Sequence, residues 1–398
     1  MKHKIFYWCV LCTLVGLFSC ESINSNEKNF RIAMVTVRSR YSDDAERGVT
    51  ELIKRYGAIE DGGIITHVVY DDMVFDKESF VKQVTGIASD PLVKAIVVNQ
   101  AAPGTAEAFR KIRVSRPDII LLAGDPEERL DEIQTASDIV LSQDFISRGF
   151  IIPWVAQKMG AESFVHIASP HCMEREIYEM RVKIMEEACK DLNMPFYRYT
   201  APDLDGQSEH IVAKKFIAEN VPKWLQEHGE NTAFFCADSA EIEPLLKVLL
   251  DEHAGIFVEA DLPSPLVGYP RALLTNVASD GYRAVISKLR LSLENRVAGK
   301  RFSTWFYPHS TTVSLALGEY AKQVIAGNAK KGNLADLENV IQSCMPNIRS
   351  RHTAYVDPKT GKRAANHMLI YTDTYVFGQG FIATTELAVP DKYRKMHF

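Results

Sequence analysis

The sequence predicts an α/β protein with two doubly wound, Rossmann-like lobes joined by a hinge. The first observation is the apolar run 31–37, which lacks polar alternation and is typical of a strand covered on both faces of a parallel sheet. The second is the segment that follows, where Ser42-Asp43-Asp44 begins a helix that ends at Gly57. The third is the recurrence of this strand–loop–helix unit along the chain. Such alternation indicates parallel sheets with right-handed crossovers.

The units are divided between two lobes. In the first lobe we predict strands at 31–37, 63–70, 94–99, 118–123 and 138–142, and helices at 43–56, 77–89, 104–115 and 126–135. In the second lobe we predict strands at 163–168, 195–199, 232–236, 256–259 and 266–269, and helices at 146–159, 173–192, 208–228 and 239–253. Asp125 is predicted to cap helix 126–135, because Pro126 suits the first helical position.

The last third of the chain has a less regular pattern. Helices are predicted at 279–298, 311–326 and 334–344. A hairpin is predicted at 352–356 and 366–371, around a turn that contains proline and glycine. Two aromatic segments, 302–307 and 371–381, lie between and after these elements, and the pattern of the second predicts no structure.

The N-terminus has the composition of an export signal. Lys2 and Lys4 precede the apolar run 5–18. As a helix that run would span only ~21 Å, which is shorter than the ~30 Å hydrocarbon core of a bilayer and typical of a signal peptide. Leu17-Phe18-Ser19-Cys20 resembles a bacterial lipobox, which implies cleavage before Cys20 and lipidation of that cysteine. An ordinary signal peptide with an incidental cysteine is the alternative, and the polar residues after Cys20 are predicted to form a tether.

The composition and motifs disfavour several functions. The chain has 398 residues, 24% of them charged, and a net charge of −5 without a basic face, which argues against nucleic-acid binding. No Gly-x-Ser-x-Gly elbow, P-loop or dinucleotide fingerprint occurs in the sequence. We therefore predict no cofactor and no catalytic residue.

Cysteine and histidine spacing predicts no metal site. Four cysteines follow the signal and the lipobox: Cys172, Cys189, Cys236 and Cys344. Their wide spacing forms no CxxC pair, and although an oxidising compartment permits a disulfide, the sequence does not select a pairing. The most metal-like group, with no HExxH motif, comprises His166, His171, Cys172, Glu174 and Glu176.

The signal, the cysteine, the tether and two successive α/β lobes together resemble the type I extracytoplasmic solute-binding proteins. Segment 143–149 resembles their crossing between lobes, segment 232–239 their strand ending in a ligand-side polar pair, and segment 266–269 their strand before the second crossing. Within that superfamily the chain resembles an uncharacterised bacterial lipoprotein family near the basic membrane protein group. The resemblance covers roughly residues 30–330.

This resemblance implies a division of the chain. The expected parts are a signal peptide (1–19), a tether (20–29), a first lobe (30–145), a second lobe (146–270), a return through the hinge and first lobe (271–330), and a C-terminal extension packed on the lobes (331–398).

The resemblance also implies a ligand site between the lobes, built from loops at the carboxyl ends of the strands. Carried over by position, the expected ligand-binding residues are Arg38, Tyr41, Asn99, Gln100, Asp125, Gln143, Asp144, Arg148, Ser169, Asp238 and Tyr269. Tyr41 and Tyr269 are expected to sandwich a flat face of the ligand, and an arginine to hold a carboxylate or phosphate. The alternatives are a helix cap for Asp125, a surface ion pair for Arg148 and hinge packing for Tyr269.

The predicted function is capture of a small polar ligand for transport or sensing by a protein anchored in the bacterial cell envelope through lipid. Its expected partners are the membrane and an ABC permease or a sensor. One alternative is an envelope interaction protein that uses the aromatic segments 302–307 and 371–381 as its surface. The other is an enzyme with Asp144 or Asp238 as its base.

Overall fold

The computed structural model describes residues 30–71, 75–203, 209–277, 281–296, 300–357 and 359–396. Its strands are β1 (Arg31–Arg38), β2 (Ile65–Asp71), β3 (Val93–Asn99), β4 (Ile120–Gly124), β5 (Ile139–Gln143), β6 (Ser163–Ala168), β7 (Phe196–Thr200), β8 (Thr232–Cys236), β9 (Ile256–Phe257), β10 (Ser303–Trp305), β11 (Ser350–Val356), β12 (Arg363–Thr372), β13 (Thr374–Val376) and β14 (Gly380–Ile382). The expected signal peptide, the lipidated Cys20 and the tether lie outside these residues.

The helices lie between these strands at about the predicted positions. They are α1 (Asp44–Tyr56), α2 (Lys77–Ile87), α3 (Thr105–Ser115), α4 (Leu130–Ala136), α5 (Phe145–Lys158), α6 (Pro170–Met173), α7 (Glu176–Asp191), α8 (Glu209–His228), α9 (Ser239–Glu252), α10 (Tyr269–Ala272), α11 (Tyr282–Glu294), α12 (His309–Ile325), α13 (Leu334–Cys344) and α14 (Asp391–Arg394). None of the helices within the described ranges is long and apolar enough to cross a membrane.

The first lobe is built on a seven-stranded sheet in the order β11-β12-β5-β4-β3-β1-β2. All neighbours pair in parallel except β11 and β12, which form the predicted hairpin. The strands are apolar runs because helices cover both faces, and Ile96, Val97 and Val98 in β3 are fully buried.

Helix α12 returns to the first lobe and packs closely on α1. A Cβ atom on Gly48 would lie 2.5 Å from the carbonyl oxygen of Thr311, and one on Gly318 would lie 2.3 Å from a methyl group of Leu52. These two glycines therefore permit the close approach of the helices. The approach places the N-terminus of α12 beside the carboxyl ends of β3 and β4.

The second lobe is built on the sheet β7-β6-β8-β9, extended by the small sheet β10-β13-β14. A bridge between Phe257 and Phe302 joins the two sheets. The chain therefore passes between the lobes three times: after β5, between β10 and α12, and between β12 and β13. On this connectivity we assign 30–143 and 309–372 to the first lobe, and 144–308 and 373–396 to the second.

Three predicted features differ from the structure. Segment 266–269 is not a strand, because Gly268 has a φ of 79° and packs against Ile242 of α9, and the chain then turns into the short α10. The return to the first lobe occurs at 306–309 rather than near 270. Residues 350–396 are not an extension packed on complete lobes. They supply β11 and β12 to the seven-stranded sheet of the first lobe, and β13 and β14 to the small three-stranded sheet of the second.

Helix 126–135 begins later than predicted, at Leu130. Asp125 does not cap it, because the helix begins five residues later, after Arg129, and the carboxylate of Asp125 accepts from His309 instead. Glu128, predicted for the first turn, caps a different helix: its carboxylate accepts from the amides of Gly104 (3.1 Å) and Ala106 (2.7 Å) at the start of α3.

Candidate functional site

A cleft of about 620 Å³, open to solvent, lies between the lobes at the carboxyl ends of the strands. We call it the interlobe cleft. On the first lobe it is lined by Gln100, Asp125, Pro126, Glu127, Leu130, Ser142, Gln143 and Ser310, and on the second by Phe145, Arg175, Ile177, Tyr178, Arg181 and Asp261. Guanidinium, carboxylate, amide and hydroxyl groups therefore meet there with apolar walls.

The first-lobe face of the cleft is fixed by the N-terminus of α12. His309 Nε2 lies 2.8 Å from both oxygens of the Asp125 carboxylate and hydrogen-bonds to Oδ1, so Oδ2 has an ion contact but makes no hydrogen bond among the described residues. The hydroxyl of Ser310 is also buried without a partner there. Gln100 and Asp125 both have left-handed backbones, with φ of 55° and 42°. Such strain in non-glycine residues is concentrated at functional sites.

The second-lobe face is centred on Arg181, whose side chain is only 2% exposed. Its Nη1 donates to the carboxylate of Asp261. Its guanidinium carbon lies 4.8 Å from the ring centre of Tyr178 and 5.1 Å from that of Phe235. Nε and Nη2 have no partner among the residues described. Burial opposes the charge of Asp261, but Arg181 and the Tyr178 hydroxyl outweigh it and hold the pKa of that carboxyl below its usual value.

Arg148 lies beneath the cleft, at the start of α5, and is 1% exposed. It donates to Glu259 (3.2 Å), to the side chain of Gln143, and to the carbonyls of Ala260 (2.9 Å) and Asp261 (3.2 Å). Burial lowers the pKa of Arg148 and raises that of Glu259, against their mutual attraction. Arg148 therefore connects Gln143, where the chain first crosses between the lobes, to the segment after β9, and it does not line the interlobe cleft.

Within the described residues, ion pairs join the rims of the two lobes around the cleft. Glu127 lies 3.2 Å from Arg175, Arg40 lies 3.4 Å from Glu209, and Lys359 contacts Glu176. The carboxylate of Asp44 is fully buried near Ser264 of the second lobe, and burial raises its pKa to about 6 despite the Ser264 and Ser42 hydroxyls. These contacts show that the lobes are closed on each other.

Three of the eleven predicted ligand residues line the cleft: Gln100, Asp125 and Gln143. Arg38 does not line the cleft. It lies on the surface, where Nε and Nη2 each donate to the carboxylate of Glu46 at 2.8 Å. Asn99 lies one layer below the cleft, where its amide donates to the Ser310 carbonyl (2.8 Å) and the Ser314 hydroxyl (2.7 Å).

Three other predicted ligand residues act as helix caps. Asp144 accepts from the amide of Ser147 at the start of α5, at 2.8 Å. Ser169 accepts from the amide of Cys172 in α6 (3.3 Å), and Asp238 from the amide of Ala240 in α9 (3.1 Å). Each oxygen is used by the amides that a helix leaves unpaired at its first turn.

The predicted sandwich of Tyr41 and Tyr269 is wrong. Tyr269 is 1% exposed and its hydroxyl donates to the carbonyl of Ser303 at 2.8 Å, so it belongs to the second-lobe core. Tyr41 lies in a separate depression of about 900 Å³ between the loop after β1 and the segment around α10.

The sequence analysis missed Tyr178, Arg181, Asp261 and Ser310. Helix α7 has a solvated face, where the pairs Lys183–Glu179 and Lys190–Glu186 lie, but Arg181 is not on it. Its flanking residues Met180 and Val182 are buried, and an arginine between two apolar residues was the one local signal. Ser310 and Asp261 follow no regular pattern and reach the cleft only through the fold.

The metal-like group and the aromatic segments have structural roles. His166 is buried against Phe235, with ring centres 5.6 Å apart, and burial lowers its pKa to about 3, while His171 is exposed. Within the described ranges no three His, Cys, Asp or Glu side chains are placed to hold a metal ion.

Most of the aromatic side chains at 302–307 and 371–381 are buried, Trp305 and Phe377 among them, which argues against a docking surface there. Cys172, Cys189, Cys236 and Cys344 are free thiols.

Comparison with solved structures identifies the fold. The chain is similar to a candidate transcriptional regulator from Clostridium difficile 630, with a TM-score of 0.74 and 20% identity over 88% of this chain and 99% of that one. It is also similar to an ABC transporter solute-binding protein from Clostridium phytofermentans with bound L-rhamnose, with a TM-score of 0.50 and 9% identity over 88% and 97% of the two chains. The predicted type I solute-binding fold of two α/β lobes is confirmed.

Comparison of sequences identifies the family. An uncharacterised protein from Treponema pallidum (strain Nichols) is 38% identical over 177 residues, which cover 44% of this chain and 81% of that protein. A family model without a description matches residues 314–396. The model described as "Protein of unknown function (DUF3798)" matches residues 30–303, more than half of the chain. The chain therefore belongs to the DUF3798 family.

Proposed function

We propose that this protein captures a small polar ligand in the interlobe cleft by closure of its two lobes. The observation that carries the proposal is a set of buried polar atoms on both faces that make no hydrogen bond within the described part of the chain: Asp125 Oδ2 and the Ser310 hydroxyl on the first lobe, and Arg181 Nε and Nη2 on the second. An unpaired buried polar group costs roughly 1–3 kcal/mol, so a ligand that pairs these atoms stabilises the closed state.

The rest of the site supports binding rather than turnover or docking. Asp144 and Asp238, the carboxylates considered as bases, are occupied as helix caps. The aromatic segments considered as a docking surface are mostly buried. Polar groups that converge on a cleft with apolar walls are typical of ligand sites.

We further propose that the protein works at the outside of a bacterial membrane, anchored through lipid on Cys20. The support is the sequence of the N-terminus alone, where the apolar run 5–18 and the lipobox precede a polar tether. The tether 21–29 reaches at most ~30 Å, which keeps the lobes near the membrane surface. Delivery to a permease or a sensor is the role that this position favours.

Native mass spectrometry tests the capture of a ligand. Residues 21–398, produced without the signal and purified gently, are expected to carry a discrete excess mass that denaturation removes. X-ray scattering is expected to show a smaller radius of gyration with this ligand than after its removal. A bare mass, with unchanged scattering across a broad panel of metabolites, would contradict the proposal.

Gln100→Gly separates binding from stability. A left-handed backbone costs a non-glycine residue about 1–2 kcal/mol, so the glycine is expected to raise stability while it removes a side chain from the cleft. The matched control is Asn193→Gly, an exposed residue of the second lobe with a φ of 53°. Both variants are expected to be at least as stable as the wild type, but only Gln100→Gly to lose ligand affinity in calorimetry.

A further inference from the structure

Arg181 presents an unused pair of donors at the cleft. Nε and Nη2 lie on the same edge of the guanidinium, where their N–H groups point in parallel and match the two oxygens of a carboxylate. In Arg181 both atoms are buried and without partners among the described residues, while Nη1 is taken by Asp261.

The same edge binds carboxylates elsewhere in this protein. Arg38 uses Nε and Nη2 on Glu46, at 2.8 Å each. Two further pairs with the same geometry are Arg116 with Asp118, at 2.8 and 2.9 Å, and Arg129 with Asp131, at 3.1 and 2.8 Å. At Arg181 no carboxylate from the described residues occupies the edge, and the side chain lines the cleft.

The opposite face offers the complementary atom. Asp125 Oδ2 is a buried oxygen that makes no hydrogen bond among the described residues, although His309 Nε2 lies 2.8 Å from it, and the Ser310 hydroxyl lies on the same face. A ligand that bridges the faces therefore needs an acceptor pair at one end and a donor, best a cationic one, at the other. The apolar part of the lining is formed by Pro126, Leu130, Phe145, Ile177 and Tyr178, beside the polar side chains of Gln100, Ser142 and Gln143.

The site offers one partner to a cationic group and one to an anionic group. Three guanidiniums in or beneath the cleft each have a carboxylate: Arg148 has Glu259, Arg175 has Glu127 and Arg181 has Asp261. A purely cationic ligand would pair with Asp125 but leave the two donors of Arg181 unused, and a purely anionic ligand would do the reverse, so either would leave buried polar atoms unpaired. A zwitterion adds two charges, each with a partner.

We propose, on the basis of the proposed binding function, that the ligand is an α-amino acid with an apolar side chain. Its carboxylate accepts from Nε and Nη2 of Arg181, its ammonium group donates to Asp125 Oδ2, and its side chain lies against the apolar walls.

Calorimetry with matched probes tests this assignment on unliganded protein. L-leucine and L-phenylalanine are compared with isoamylamine and phenethylamine, which lack the carboxylate, and with 4-methylpentanoate and 3-phenylpropanoate, which lack the ammonium group. At least one amino acid is expected to bind, and each truncated analogue to bind about 10- to 100-fold more weakly, the range for a lost charged hydrogen bond. D-xylose, L-rhamnose and adenosine serve as rival probes.

Two substitutions assign the ends of the ligand. Arg181→Lys keeps a charge beside Asp261 but removes the paired donors, so it is expected to weaken amino-acid binding at least tenfold and leave amine binding unchanged. The control Arg129→Lys changes the same geometry on the surface and is expected to have no effect. If Arg181→Lys fails to fold, Asp125→Asn serves instead, and it is expected to weaken the amino acid but not the carboxylate analogue.

The outcomes separate the two proposals. Binding of a sugar or adenosine without any amino acid, or amino-acid binding unaffected by Arg181→Lys and Asp125→Asn, would overturn the zwitterion assignment and leave capture by closure intact. An absence of binding and of closure with every probe, in protein that also carried no captured mass, would overturn both.

Discussion

The two faces of the interlobe cleft hold their polar groups by different means. On the first lobe they are held by α12, the helix that returns from the second lobe. The amide of Asn99 fixes the start of this helix by donating to the Ser310 carbonyl, and His309 in its first turn holds Asp125. On the second lobe they are held by ion pairs, with Arg181 on Asp261 and Arg148 on Glu259. The first-lobe face thus depends on the packing and hydrogen bonds of α12, and the second-lobe face depends on buried ion pairs.

This difference has an energetic consequence. Buried charges are stabilised only while their partners are present, so removing one partner from the second-lobe network leaves an uncompensated charge. Removing a hydrogen-bonded amide from the first lobe leaves neutral groups unpaired, which costs less. The second-lobe face is therefore expected to be the more sensitive of the two to single substitutions.

The largest effect is expected from Arg148→Met. The substitution leaves Glu259 buried without its cation and is expected to cost about 3–5 kcal/mol of unfolding free energy, measured by urea denaturation. Adding Glu259→Gln is expected to recover much of the loss, because it removes the uncompensated charge. The control Arg38→Met breaks an exposed pair and is expected to leave the denaturation midpoint unchanged; an equal loss in both variants would refute the contrast.

A pH dependence is expected from Asp44 on the first-lobe side. Its pKa is about 6 in the folded protein against 3.8 ordinarily, so the folded state binds the proton more tightly than the unfolded state. Its contribution to stability is therefore fully present below pH ~4 and is lost as the pH rises through 6, a change of about 3 kcal/mol for two pH units.

Denaturation at pH 4 to 7 checks this, since Asp44→Asn is expected to flatten the slope. Asp43→Asn, at the exposed neighbour, is the control and is expected to keep it. A slope that survives in Asp44→Asn would assign the titration to another group.

A smaller effect is expected from Asn99→Ala, which releases α12 from the first lobe. It removes the two hydrogen bonds that the amide donates to α12, at 2.8 and 2.7 Å, and the one that Oδ1 accepts from the backbone amide of Gln100 at 2.8 Å. It is expected to cost about 1–3 kcal/mol and to weaken ligand binding through Ser310 and Gln100. Asn328→Ala, beyond the other end of α12 and exposed, is the matched control. Loss of stability without any loss of affinity would show that α12 does not position the first-lobe face.

The smallest effect is expected where the two faces meet. Glu127→Gln removes one ion pair between the rims, at 3.2 Å and about one-third exposed, which contributes under ~1 kcal/mol and is screened by salt. Fluorescence transfer between labels on the two lobes is expected to show a shift toward the open form at low salt that fades at high salt. Glu107→Gln, within the first lobe, is expected to show no shift.

The sequence predicted the scaffold better than the site, for a physical reason. Apolar runs report burial locally, so β1 to β8 and the hairpin β11–β12 are close to their predicted places, and α13 matches residue for residue. Polar residues after a strand are ambiguous, because the same Asp or Ser can face a ligand or cap the next helix. Asp144, Ser169 and Asp238 each precede a helix, and the capping rule alone would have identified all three.

The residues that the sequence did not reveal depend on long-range contacts. Arg181 reaches the cleft from within a helix, and Ser310 from a helix that returns after a whole lobe has intervened. No local pattern encodes the approach of α12 to α1; only Gly48 and Gly318 hint at it, and only once the two helices are known to touch.

The position of β12 has a consequence for how the protein is made. The first lobe starts at residue 31 but receives an interior strand, between β5 and β11, only when residues 363–372 arrive. A chain that emerges N-terminus first during synthesis or export therefore carries β5 as an open edge while the whole second lobe is delivered, and open edges invite wrong pairing. A chain that stops before residue 363 therefore lacks an interior strand of the first-lobe sheet, and its first lobe is incomplete.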